Sequence, residues 1–395
     1  MELLETILEK MSKVSKAQKR FIIEVITVLQ FLPGRATYRN LSRYSYLHEK
    51  TYSRWFKRDF DFLQLNSLAL EEYVNKKDLL AIIDCSFVNK SGQKTDGLDK
   101  FYNGKASKTE KGLEISTLAV VDTTYNTAYN LSTRQTPRLE NPQETRIDWY
   151  LKHFATDCYQ LPQSVKYLVT DGYYSKKKFT NGIVKLNYHQ VGKLRHDANL
   201  RYLYTGEHKA GPGRKKQYDG KVNFNDVNRF EQIKIDNKLS IYTAIVNSIT
   251  LKSNIRIAYL VKKIGKKLQT ALFFSTDIDL SALKIYSFYK SRFQIEFLFR
   301  DAKQFMGLTH CQARSQQALN FHFNVTMTTL NFIKFQHFKS DPHLLHKPLS
   351  ISSWKTRYFN QHLLLRFSRI LGFDLSSNKY KSAYQSLRDY GVIHI

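Results

Sequence analysis

Tyr289–Lys303, YKSRFQIEFLFRDAK, is the stretch around which the rest of the chain arranges itself. It contains neither Pro nor Gly and predicts a long helix. Tyr289, Arg292, Glu296 and Lys303 stand at offsets 0, 3, 7 and 14. At about 100° per residue they fall at roughly 0°, 300°, 340° and 320°, one narrow arc of the surface. Ile295, Leu298, Phe299, Ala302, Phe305 and Met306 fill the adjoining arc, at roughly 160–280°, as a packed face. A carboxylate, two cations and a phenol thus line up beside an apolar stripe. By itself this reads first as an ordinary amphipathic helix with a solvated charged face. Acids elsewhere in the chain change that reading.

Two short apolar runs upstream each deliver an acid. Leu79–Cys85 (LLAIIDC) predicts a buried central strand with Asp84 at or near its C-terminal end, and Val165–Thr170 (VKYLVT) a second one ending at Asp171-Gly172. Leu113–Asp122 and Thr127–Thr133 read as strands separated by a turn at 124–126. Pro142–Cys158 reads as a helix with Asn141 as N-cap and Pro142 at its first position. Ser175–Leu186 reads as a basic helix and Tyr188–Arg195 as a fifth strand. Three strands, helix, strand, helix, strand make an α/β domain with a mixed sheet. Carboxylates on adjacent strand ends repel unless a cation lies between them. Two hard divalent ions shared by Asp84, Asp171 and Glu296 relieve that repulsion and suit in-line phosphoryl transfer. Arg292 and Lys303 would then hold a phosphate, and Tyr289 would donate to a phosphate oxygen.

Composition points to the substrate. The 395 residues carry 62 Lys/Arg against 34 Asp/Glu, a net charge of +28, so a polyanion is the expected partner. A hydrophobic fraction of 42% marks a globular chain with a sizeable core. Cys85, Cys158 and Cys311 form no CxxC pair, which argues against a disulfide framework or structural zinc and fits a reducing cytosol. Met1–Lys10 is acidic and predicts no secretory signal. Phe21–Pro33, interrupted by Glu24, is too short to span a bilayer, so no membrane partner is expected.

Basic segments flank the acids. Residues 1–75 read as helical, with Phe21–Leu32 stopped by Pro33-Gly34. Thr37–Tyr44, a break near Tyr46–His48, and Glu49–Arg58 have helix-turn-helix spacing. From Gly34 to Arg58 there are seven Lys/Arg against one acid. Arg54, Lys57 and Arg58 are expected to project from the second helix towards DNA; a plain helical hairpin with a basic face is the alternative. Residues 191–270 hold 17 Lys/Arg against six Asp/Glu and predict a basic β-rich insertion, with strands at Phe230–Ile235, Leu239–Val246, Arg256–Ile264 and Leu268–Ser275. Its Gly-rich loop Lys209–Lys221, with Arg214, Lys215 and Lys216, is a candidate DNA contact. Asp279 or Ser281 should begin the organising helix and Gly307 end it. Ala318–Phe338 reads as a helix broken by Pro342–Pro348, and 349–395 as a basic helical tail.

These residues resemble bacterial insertion-sequence transposases of the DDE type, in the branch whose third acid lies in a Y-x2-R-x3-E-x6-K signature. Tyr289, Arg292, Glu296 and Lys303 match its four positions, AIIDCS supplies Asp84 and LVTDGYYS supplies Asp171. The resemblance covers roughly 78–335. It implies an RNase H-like catalytic core at 76–335, with strands two and three antiparallel to a central first strand and a β-rich insertion at 196–275. A helical DNA-binding domain at 1–75 and a helical region at 336–395 would complete the chain. It further implies two Mg²⁺ ions (Mn²⁺ substituting), double-stranded DNA as transposon end and target, a homodimer holding two ends, and a bacterial cytoplasmic protein on the nucleoid. Water would cut at the element end and the freed 3′-hydroxyl would attack target DNA. Some relatives stack an aromatic of the insertion on a flipped base. No Trp lies between Trp149 and Trp354, which leaves Tyr or Phe for that role. A domesticated or inactive DNA-binding relative, or another RNase H-like nuclease, remains the alternative.

Overall fold

A computed structural model of the chain describes residues 2–208, 213–340, 349–373 and 377–393. Pro342–Pro348, expected to break a helix, and the first four residues of the Lys209–Lys221 loop lie outside them. The chain begins with helices α1 (Glu2–Lys10), α2 (Lys16–Phe31), α3 (Tyr38–Arg43), α4 (Glu49–Trp55) and α5 (Phe62–Tyr73). Strands β1 (Leu79–Val88), β2 (Asp99–Asn103), β3 (Lys108–Asp122) and β4 (Thr127–Gln135) follow. Next come α6 (Arg146–Asp157), β5 (Tyr167–Val169), α7 (Lys177–Lys185) and β6 (His189–Leu194). β7 (Leu200–Leu203), β8 (Tyr218–Lys221), β9 (Glu231–Lys234), β10 (Leu239–Ser248), β11 (Ser253–Ile264) and β12 (Lys267–Ser275) form the basic region. The chain closes with α8 (Ala282–Ser291), α9 (Phe293–Phe305), α10 (Gln316–Ser340), α11 (Ile351–Leu371) and α12 (Asn378–Arg388).

β1 sits inside the sheet because its run Leu79–Ile83 is apolar on both faces, and all five residues are buried. Leu80 and Ile82 join the core of α8 and α9 through Ile285, Ile295, Leu298 and Ala302. Ala81 and Ile83 join the opposite core with Ile147 and Phe154 of α6 and Phe179 and Ile183 of α7. The N-terminal helices share that second core through Ile22, Val25 and Leu65. β5 pairs parallel with β1 on one side and with β6 on the other, while β3 runs antiparallel to β1.

Several expectations are corrected. The third predicted strand, β4, pairs antiparallel with β3 and not with β1, since the short turn after β3 can only return it to β3's free edge. β1 does not end at Cys85: it continues to Val88 against Leu113, so Asp84 lies within the strand. α6 starts at Arg146, not Pro142. Thr145 and Asp148 form a capping box there, and Asn141 instead accepts from Gln143 N–H in a local turn. The basic β-region continues the sheet of the core, β12 pairing antiparallel with β6, Leu272 opposite Leu194 to Ser275 opposite Val191. Tyr289–Lys303 is two helices with a tight turn at Arg292, where the Arg292 N–H bonds to Tyr289 O and the Ile295 N–H to Arg292 O.

Ser281 caps α8, accepting from Lys284 N–H. Gly307 follows α9 at φ +72°, and a Cβ there would meet Ala36 Cβ at 2.6 Å. Both the left-handed backbone and the close approach require Gly. Gly307→Ala is therefore expected to cost about 1–3 kcal/mol, read as a lower urea midpoint.

Candidate active site

The register of β1 and β5 brings the first two acids side by side. Ile82 is the last β1 residue paired with β5, opposite Val169. Asp84 and Asp171 each stand two residues further on, at the same edge of neighbouring parallel strands, which run about 4.8 Å apart. Asp171 is still extended (φ −76°, ψ 179°), then caps a short 3-10 turn by accepting from Tyr173 N–H at 2.8 Å. Asp84 Oδ1 accepts from the Cys85 N–H at 2.8 Å.

α9 supplies the third acid. Its buried Ile295, Leu298, Phe299 and Ala302 press the helix on the sheet, full burial of each of the three large side chains being worth about 1.5–3 kcal/mol. Glu296 therefore faces Asp84 across Arg292. The Arg292 guanidinium donates to Glu296 Oε1 at 2.7 Å and to Asp84 Oδ2 at 3.3 Å. Arg292 is 10% exposed and Glu296 50%. Tyr289 is buried and stacked on Phe273 at 4.1 Å. Its phenol stays close to Arg292, Asp171 and Asp84, and burial is the first cause that pushes it up.

Asp84, Asp171, Glu296 and Lys303 line one cleft of about 1080 Å³. Lys100, Lys105, Arg146 and Arg300 line it too, as do Tyr102, Tyr173 and the carboxylate of Glu114. The sequence reading missed these. Two signals were present: Arg300 is four residues after Glu296, hence on the same helix face, and Asn103-Gly104 marks a hairpin turn. Glu114 is buried, accepts from Tyr150 Oη at 2.6 Å, and is pushed up chiefly by burial.

Arg54, Lys57, Arg58, Arg214, Lys215 and Lys216 do not line this cleft. Arg54, Lys57 and Arg58 are exposed, but Lys57 and Arg58 follow α4 and do not project from it, because the helix stops at Trp55. Arg58 packs over the Trp55 ring at 4.4 Å. Arg214, Lys215 and Lys216 are exposed, and Lys216 pairs with Asp219 at 2.8 Å.

Asp84 is the titration anomaly. Burial first, then the charge of Asp171, pushes its carboxyl up to about 7 from 3.8, against the lowering pull of the Cys85 N–H and Arg292. In metal-free protein the folded state holds this proton more tightly than the unfolded chain, so stability falls as pH rises between those values. Each pH unit across that window removes at most about 1.4 kcal/mol. Asp84→Asn abolishes the loss. Its melting temperature should exceed wild type above pH 7 and converge on it towards 3.8, in thermal melts with chelator.

The donor set fits a hard divalent cation. Asp84 and Asp171 are oxygen donors close enough for one charge to raise the other, and a guanidinium already acts as the cation between Asp84 and Glu296. Among the described residues, no three His, Cys, Asp or Glu side chains are gathered closely enough to enclose a metal as they stand. Glu296 Oε1 accepts from Arg292.

No helix of the described residues is long and apolar enough to cross a membrane. No curated protein matches the chain. The family model for the transposase DDE domain matches residues 75–332, from the approach to β1 to the middle of α10, and so includes all three acids. The chain therefore belongs to the DDE transposases, a family of metal-dependent enzymes that cleave DNA and transfer its strands.

Proposed function

We propose that the chain binds the terminal inverted repeats of its own insertion sequence, cleaves at the element ends and joins the freed 3′-hydroxyl to target DNA, with Asp84, Asp171 and Glu296 as its catalytic and metal-holding acids. The observation that carries this reading is the meeting of those three carboxylates in one basic-rimmed cleft. The strand order β4-β3-β1-β5-β6, with β1, β5 and β6 parallel, supports an RNase H-like core. Two Mg²⁺ ions bound there, or Mn²⁺ in their place, supply activation of the attacking oxygen and stabilisation of the leaving one. The chain's own residues position the DNA. Lys303 and Arg292 hold phosphate from α9, and Tyr289 packs beneath Arg292 to fix its height. The spacing of these three with Glu296 supports the Y-R-E-K branch. α3 and α4 are the helix-turn-helix-like unit, with Arg54, Lys57 and Arg58 meeting the backbone of the end sequence. Two ends are held by a homodimer.

The test is cleavage of a DNA fragment carrying the sequences that flank the gene, with Mg²⁺. Cuts at fixed positions should appear with wild type and vanish with Asp171→Asn; cuts that survive the substitution would remove the acids from the mechanism.

The basic loop has its own expected signature. Arg214→Glu with Lys215→Glu should weaken duplex binding and flatten the slope of log affinity against log salt by about 2, one phosphate contact per residue. Fluorescence anisotropy over a salt series reads it, and an unchanged slope would take the loop off the DNA.

A further inference from the structure

Arg292 does two things that exclude one another. In this structure its guanidinium is the counter-ion of Asp84 and Glu296, bonded to both from a nearly closed position. As a phosphate ligand it must turn those same nitrogens to DNA. Its Nε is buried with no hydrogen-bond partner, so the bridging state leaves one donor unsatisfied. A DNA phosphodiester, with two non-bridging acceptor oxygens, can take the planar fork bidentately. Arg300 and Lys303 line the same cleft and draw a polyanion towards it. A guanidinium and a divalent ion cannot both sit between Asp84 and Glu296, since like charges at that range repel.

We propose that Arg292 is a positioning residue that withholds Glu296 from the metal site until a DNA phosphate takes its guanidinium, so that DNA binding and metal binding are coupled. The proposal rests on the reading of Asp84, Asp171 and Glu296 as metal ligands. Metal-free, Arg292 balances the acids; on DNA, the phosphate removes that balance and Glu296 turns to the cation. A coupling of this kind typically changes affinity about 5–150-fold, and linkage makes it reciprocal: Mn²⁺ must tighten DNA by the factor by which DNA tightens Mn²⁺.

The experiment measures Mn²⁺ affinity of the full chain by electron paramagnetic resonance, alone and with a short blunt-ended duplex. Asp84→Asn with the same duplex reports the ions that DNA holds by itself. Wild type should bind Mn²⁺ about tenfold more tightly on DNA. Glu296→Gln should leave the DNA-free affinity within about twofold yet abolish the gain on DNA. Arg292→Gln should bind Mn²⁺ tightly without DNA and gain little from it. Arg292→Lys, which keeps the charge but loses the fork, should fall between, and it carries the test if Arg292→Gln does not fold. Equal weakening by Glu296→Gln with and without DNA, or wild-type DNA-free affinity in both Arg292 variants, overturns the latch. Wild-type Mn²⁺ binding by Asp84→Asn in both states overturns the metal-ligand reading instead, and so separates the two failures.

Discussion

Glu296→Gln is expected to lower Mg²⁺-dependent end cleavage by on the order of a thousandfold or more, while duplex affinity measured without metal stays within about twofold. Gln keeps the volume and an oxygen that can accept from Arg292, so α9 retains its packing through Ile295, Leu298 and Phe299. Only the carboxylate charge is lost. In the proposed site that charge completes the holding of the metal, and a neutral amide is a far poorer oxygen donor to a hard cation. Single-turnover rates on excess enzyme separate this from weakened binding. An unchanged melting curve shows that the loss is chemical. A loss of less than about tenfold would leave Glu296 as a DNA-contacting residue and not a catalytic one.

The second large effect is on stability and lies behind the site. Asp157, wholly buried at the end of α6, pairs with Arg134 of β4 and faces His153 Nε2 at 3.2 Å. His153 Nδ1 lies 2.8 Å from Ser116 Oγ, and Ser116 is the β3 partner of Cys85, next to Asp84. The cluster thus bolts α6 to the strands that hold the first acid in place. Burial keeps His153 below its usual range, so the imidazole is neutral and Arg134 is the cation. His153 and Arg134, against the opposing cost of burial, hold the Asp157 carboxyl well below the usual range. A depressed folded pKa gives stability that is present above the unfolded value and lost as pH falls towards the folded one. Asp157→Ala leaves the buried His153 ring and the part-exposed Arg134 guanidinium without their acceptor and is expected to cost about 1–3 kcal/mol. Urea unfolding of the two proteins at neutral pH measures it. A cost under about 1 kcal/mol would mean the cluster is dispensable.

The sequence was most legible where one local pattern decides the outcome. Leu79–Ile83 is apolar at every position, which only a strand covered on both faces tolerates, and so the place of Asp84 followed from five residues. Glu296 was legible because its packed neighbours recur at helical spacing. What escaped reading depends on partners far along the chain. β2, DKFYN, buries only Phe101, and its strand character comes from pairing with β3. β7 and β8 are four residues each and are paired by β10 and by one another. The union of β12 with β6 joins residues some eighty positions apart, which no periodicity encodes. The turn at Arg292 also escaped. A helical wheel assumes an unbroken axis, and here the side chain engages Asp84 from β1 at the point where the axis tightens. That contact makes Arg292 the counter-ion of both Asp84 and Glu296.

An anomalous difference map from crystals of the chain with duplex DNA and Mn²⁺ decides whether the acids hold the metal. Density is expected at coordination distance, about 2.0–2.6 Å, from carboxylate oxygens of Asp84 and Asp171, with Glu296 turned from Arg292 to the same ion or its neighbour. Ordered DNA in the cleft with no metal density at Asp84 and Asp171, or with Glu296 still on Arg292 beside a bound ion, would contradict it.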